Sequence, residues 1–229
     1  MGFLINSFSV IPAVLPDPTI PTISDQILWL KSSDGITKDG SDKVSAWADQ
    51  SGTGNNLVEA TGSKQPLWVD NQLGGYPSVQ FDGTNDRLVK AWAGGTKSQP
   101  ITYCIVAEWA SGGGYIKGGT SGTRNFIIDG GTSFNNGATT DLSGGTIPSG
   151  YFDSVHEFNG TSSEIWVNGS SVLAGNTGTS GTTGISLAAR YNDSNHGDPK
   201  IVEFIVYNKV LTSGELADLT AYFVERYSL

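Results

Sequence analysis

The side chains with reactive chemistry are few, and their spacing decides what they can do together. Phe152-Asp153-Ser154-Val155-His156-Glu157-Phe158 holds two carboxylates four residues apart and one of the two histidines. In an extended strand Asp153 and Glu157 share a face, while His156 points the same way as Phe152 and Phe158. Hydrolysis of a glycosidic bond needs two carboxyl groups flanking that bond. No third acid accompanies this pair, and His156 between phenylalanines reads as a half-buried, hydrogen-bonded histidine. No Gly-x-Ser-x-Gly turn is present to expose a nucleophilic serine. Cys104 is the only cysteine, set in Ile101-Thr102-Tyr103-Cys104-Ile105-Val106-Ala107. It reads as a packed core thiol and excludes an intrachain disulfide. The chain therefore reads as a protein without catalytic machinery.

Binding chemistry is better represented. A sugar site needs an aromatic face with amide or carboxylate partners. Trp92, before Gly94-Gly95, and Trp109, before Gly112-Gly113-Gly114, adjoin glycine-rich loops and are the candidate platforms. Asn195 and His196 are candidate polar partners. Core burial is the competing reading for both indoles, because large aromatics dominate cores. Zinc would need clustered Cys or His, which the sequence lacks. Calcium is the one ion with hard oxygen ligands on offer, from Asp49 with Asn55 or from Asn192-Asp193-Ser194-Asn195-His196-Gly197-Asp198. Turn bonding and loop solvation are the competing account of those residues. The expectation is no cofactor, with structural calcium as the exception to test.

The elements that must position these residues read as β-structure. The chain has 229 residues, 31 of them glycine, and only 15% charged. Many short strands joined by Gly, Ser, Thr and Asn turns give such a composition. Six Trp, eight Tyr and nine Phe argue against disorder. The net charge of −9 disfavours a nucleic-acid partner, which calls for a basic footprint. No apolar run approaches the length of a membrane span. Strand signals recur at 26–31, 66–69, 77–82, 86–90, 101–109, 125–129, 151–159, 164–168 and 200–207, without a fixed repeat. One helix is expected last, over about 213–227. Thr212-Ser213-Gly214-Glu215 fits a capping box, and Leu216, Leu219, Phe223 and Tyr227 recur at helical spacing.

Residues 1–24 differ from the domain expected over 25–229. Prolines 12, 16, 18 and 21 forbid a helix and most sheet pairing. Phe3, Leu4, Ile5 and Phe8 make an apolar cluster that must pack on its own domain or on a partner. An arm anchoring on another subunit is the preferred reading. No Lys or Arg precedes Lys31, so the segment lacks the charged start of a secretory signal.

Several segments together resemble the concanavalin A-like lectin/glucanase superfamily, in its laminin G-like branch found in phage virion proteins. These are Ile27-Leu28-Trp29-Leu30-Lys31, Trp47-Ala48-Asp49-Gln50-Ser51-Gly52 with Gly54-Asn55, Pro77-Ser78-Val79-Gln80-Phe81-Asp82-Gly83, Glu164-Ile165-Trp166-Val167-Asn168-Gly169, and 201–211 followed by the tail helix. The resemblance implies an all-β, two-sheet antiparallel jelly-roll sandwich with one C-terminal helix and an extended N-terminal arm. It also implies that most motif residues are fold determinants, since Asn168-Gly169 suits a two-residue hairpin turn and Asp49 can bond local backbone. Glucanases of the superfamily carry a Glu-x-Asp-x-Glu strand, which this chain lacks. The function expected by this analogy is a structural protein of a phage particle, most plausibly a capsid decoration protein. Residues 1–24 would dock on other virion proteins or sister subunits. The alternative is a carbohydrate-binding adhesin of a tail or cell surface that recognises host glycans.

Overall fold

The computed structural model describes residues 17–109, 113–121, 126–129 and 133–229. The strands are Gln26–Lys31 (β1), Ile36–Lys38 (β2), Val44–Trp47 (β3), Leu57–Val58 (β4), Leu67–Leu73 (β5), Tyr76–Gln80 (β6), Leu88–Ala91 (β7), Ile101–Glu108 (β8) and Gly114–Gly118 (β9). Phe126–Asp129 (β10), Phe134–Gly137 (β11), Asp141–Gly144 (β12), Tyr151–Phe158 (β13), Ser163–Val167 (β14), Ser170–Gly175 (β15), Gly184–Leu187 (β16) and Lys200–Tyr207 (β17) follow, and then the helix Ser213–Tyr227 (α1). They form two antiparallel sheets packed as a jelly-roll sandwich.

The first sheet has eight strands in the order β15-β14-β13-β8-β17-β6-β5, with β1 sharing the β6 edge of β17. Lys200 and Ile201 pair with β6, whereas Glu203–Tyr207 pair with β1. The second sheet has nine strands in the order β12-β11-β10-β9-β16-β7-β4-β3-β2. Alternation sends Leu28, Leu30, Val79, Ile105, Phe152, Phe158, Ile165 and Phe204 of the first sheet into the space between the sheets. There they meet Trp47, Leu57, Leu88, Ile127, Phe134, Ile185 and Leu187 of the second.

The outer faces of the two sheets differ. On the first sheet, Cys104, Val106, Val155, Val202, Ile205 and Tyr207 face outward into a second cluster with Leu219, Tyr222, Phe223 and Tyr227 of α1. Thr212 caps α1 through its hydroxyl, and Glu215 returns the bond to the Thr212 amide, so the expected capping box is present. On the second sheet, the register places Thr37, Ala46, Val58, Val89, Ser186 and Gly118 in one row across the outer face. Among the described residues no helix covers that row, and Val58 is 52% exposed.

Part of the arm expected over residues 1–24 touches the folded body. Ile20 and Ile23 pack into the helix-covered cluster, and Asp17 pairs with Arg226. Residues 17–24 therefore belong to the domain, because the outer face of the first sheet has apolar area left for them to cover. Phe3, Leu4, Ile5 and Phe8 lie outside the described residues.

Candidate functional site

The loop between β16 and β17 makes the most elaborate polar constellation. Ala188, Asp193 and Asn195 all hold positive φ, which lets the chain double back without glycine at each turn. Arg190 N–H donates to the Ser194 carbonyl at 2.9 Å, and Asp193 N–H to the Arg190 carbonyl at 3.0 Å. Tyr191 and Asn192 are thereby pushed to the tip. Gly197 seats the base of the loop: a Cβ there would lie 2.5 Å from the Tyr115 carbonyl oxygen. The Tyr115 amide in turn donates to the Asn195 carbonyl.

Ion pairs fix the loop to the neighbouring turns. Lys64 Nζ lies 2.5 Å and Arg87 Nη1 3.0 Å from the Asp193 carboxylate, and Arg87 Nε donates to Glu59 Oε2 at 2.7 Å. The Lys64 bond leads the effects that hold the Asp193 carboxyl below the usual range. His196 Nδ1 donates to the Asp86 carbonyl at 3.2 Å, so Nδ1 carries a proton. Asp86 lies beneath the loop, 2% exposed. Burial first, then the Asp82 charge, push its carboxyl up to about 6. What remains accessible includes the Tyr191 ring, 43% exposed, on the same loop as the exposed residues Asn192 and Asn195. The Arg190 guanidinium stands 5.3 Å from the ring centroid. An outward aromatic ring with amides and cations around it can stack on an apolar sugar face and bond its hydroxyls.

The residues expected for a sugar site are thus separated. Asn195 and His196 sit in this loop, Asn195 at the surface and His196 largely enclosed. Trp92 and Trp109 do not form exposed platforms: they are 4% and 6% exposed, inside the sandwich. Trp109 packs edge-on to Phe134 at 5.1 Å and stacks on His156 at 5.8 Å, between the two sheets. His156 is fully rather than half buried, bonded to Asn136 and Ser154, and burial pushes it down to about 3. Sequence reasoning missed Tyr191, although a lone aromatic in the polar run Arg190–Asn195 was the available signal.

Asp49 is spent on the fold. Oδ1 accepts the amides of Trp29 and Ser51, and Oδ2 accepts the Asn55 amide and lies within bonding distance of the Thr53 hydroxyl. In the second loop considered for calcium, Asp193 is held by Lys64 and Arg87. Among the described residues no three His, Cys, Asp or Glu side chains converge as a metal site.

No family model and no curated protein matches the sequence. Solved structures match in fold. Trypanosoma rangeli sialidase superposes with a TM-score of 0.59 at 15% identity, over 94% of this chain and 36% of the sialidase. The binding domain of Paraclostridial Mosquitocidal Protein 1 gives 0.61 at 14% identity, over 87% of this chain and 52% of that one. The botulinum neurotoxin serotype C1 binding domain gives 0.57 at 14%, over 86% and 51%. This chain spans about a third of the sialidase and half of the toxin domains it resembles.

Proposed function

We propose that the chain is a non-catalytic glycan-recognition module whose site is the β16–β17 loop. The observation that carries this reading is the exposed Tyr191 ring on an ion-paired loop that also exposes Asn192 and Asn195. The fold shared with a sialidase, one structure of which holds sialic acid, and with two toxin binding domains supports it. The test is a glycan array followed by titration of the best ligand. Tyr191→Ala should weaken binding by about tenfold, roughly 1.4 kcal/mol, with an unchanged melting temperature. Absence of binding to any arrayed glycan, or equal binding by the variant, sinks the reading.

A second reading keeps the particle role: a subunit, such as a phage capsid decoration protein, attached through residues 1–16. The observation favouring it is that Asp17, where the apolar segment joins the described domain, is clasped by Arg226 and Tyr76. Removing residues 1–16 should leave the fold intact and abolish incorporation into particles. Unchanged incorporation removes this reading.

A further inference from the structure

Asparagine followed by glycine can close on itself: the glycine amide nitrogen attacks the side-chain carbonyl carbon and displaces ammonia. The sequence has three such pairs, Asn136-Gly137, Asn159-Gly160 and Asn168-Gly169. The fold treats them differently. Asn136 is fully buried with its side chain bonded to His156, and Gly137 is paired with Phe126 and Asp141 in the second sheet. The Gly160 amide donates to Gln99 Oε1 at 2.7 Å, so its nitrogen is engaged. The third pair forms the exposed two-residue turn between β14 and β15, where Val167 pairs with Ser170 and both turn residues hold positive φ. Such a turn leaves the Gly169 N–H out of the ladder. Alternation sends Ile165 and Val167 into the sandwich and Trp166 toward α1. A Cβ on Gly169 would lie 2.9 Å from Thr220 Cγ2, so the turn is seated against the helix.

Asp153, the neighbour of this turn on β13, addresses both reacting groups. Its N–H donates to Asn168 Oδ1 at 3.2 Å, and its carbonyl accepts the Asn168 N–H at 3.1 Å. The side-chain amide is thereby held and its carbonyl polarised. Asp153 is itself only 1% exposed. The Gly169 amide is close enough to favour the charged form of its carboxyl, yet neither carboxylate oxygen completes a hydrogen bond. Burial pushes this carboxyl up to about 6, which makes its anion a better proton acceptor at neutral pH than an ordinary aspartate. A buried acceptor without a completed bond calls for an explanation, and a chemical role supplies one.

We infer that Asn168-Gly169 is a self-modifying site at which Asp153 acts as the base. The Asp153 carboxylate takes the Gly169 N–H proton as that nitrogen forms a bond to Asn168 Cγ. The negative charge that gathers on Oδ1 faces the Asp153 N–H. When the tetrahedral centre collapses, the Cγ–Nδ2 bond breaks and Nδ2 leaves as ammonia, carrying the proton from Asp153. A succinimide ring remains. Water then adds to one of its two carbonyls and opens the ring, leaving aspartate or isoaspartate at position 168. Gly169, having no Cβ, puts no side chain in the way of the closing ring, and the exposed turn lets ammonia out and water in. The product adds a negative charge beside Asp153. Its isoaspartate form also lengthens the two-residue turn by one backbone carbon where the turn rests on Thr220.

The test follows the full-length chain at neutral pH by peptide mass mapping, with isoaspartate read by isoaspartyl methyltransferase labelling. The same chain unfolded in urea is the reference, because there the three pairs differ only in their flanking residues. In the folded chain Asn168 should be modified at least about tenfold faster than Asn136 and Asn159, and faster than in urea. Asp153→Asn keeps the side-chain shape and the N–H to Oδ1 but cannot accept the proton. It should slow modification of Asn168 by about tenfold or more without lowering the melting temperature. Equal rates in Asp153→Asn and the unaltered chain overturn the proposal. So does slower modification of Asn168 in the folded chain than in urea, an outcome that needs no variant and would mean that the turn protects the pair.

Discussion

The two sheets of this sandwich solve the problem of a second face in opposite ways. The first sheet buries both faces, one against its partner sheet and one against α1 and residues 17–24. Its central strands are accordingly apolar in succession: seven residues of β8 and seven of β17 are buried. The second sheet has one face without a helix, lined by small side chains, and its strands are short and rich in Gly, Ser and Asn. Covering a sheet demands charge control at depth. Glu203, fully buried in the first sheet, is met by Trp29, Tyr222, Tyr227 and Arg226. The second sheet's ionic bonds instead lie at its loop end, partly in water, where each is worth less.

That contrast can be broken most severely at the buried end. Arg226→Ala leaves Glu203 short of its counter-charge and releases Asp17. Removing one partner of a buried pair costs roughly 3–5 kcal/mol, so thermal melting should fall by about 10 °C. Lys64→Ala at the loop end should shift it by no more than about 2 °C. Equal shifts would erase the distinction.

Trp109→Ala should cost about 3–5 kcal/mol in denaturant titration, as a core indole does. Tyr191→Ala should cost less than about 0.5 kcal/mol. A small cost at Trp109 would return it to the list of exposed platforms.

A smaller effect separates the segments near the N-terminus. Deleting residues 1–16 should leave melting within about 2 °C of the full chain, whereas deleting 1–24 removes Ile20 and Ile23 and should lower it by several degrees. Equal melting of both truncations would show that 17–24 cover nothing of consequence.

The smallest effect is pH-dependent. Folded Glu157 holds its proton up to about pH 7, whereas an unfolded glutamate loses it near 4.5. Its contribution to stability is therefore fully present below about 4.5 and is lost as pH rises through 7. Glu157→Gln cannot ionise, so the variant should melt a few degrees above the unaltered protein at pH 8.5 and level with it at pH 4. A constant difference across that range would show that Glu157 ionises as readily in the folded chain as in the unfolded one.

The sequence was legible in proportion to burial. Of nine strands expected, seven fall in the first sheet, where runs such as Lys200–Tyr207 announce themselves. The second sheet contributed only β7 and β10, because Phe134-Asn135-Asn136-Gly137 and Asp141-Leu142-Ser143-Gly144 carry turn residues and no apolar run. The hairpin turn was readable: Asn168 and Gly169 hold φ of 47° and 72°, the left-handed geometry that a two-residue turn needs. Trp166 was within reach, since alternation against Ile165 and Val167 turns it outward, but Trp92 and Trp109 drew attention by their glycine neighbours. Nearness to a loop says little about exposure when the ring itself points between the sheets. Glu203 was not legible as a hub, since its partners come from residues 29, 222, 226 and 227.

The Asp17–Arg226 clasp sets the entry and exit of the folded body side by side on one surface. Topologically the domain is then nearly a closed ring. A short Gly/Ser linker from residue 229 to residue 17 would complete it, and the turn at Gly94-Gly95, where neither Cβ would meet a neighbour, is the natural place to cut new ends. Such a circular permutant should fold, and it would display the β16–β17 loop on a frame whose ends can be placed at will.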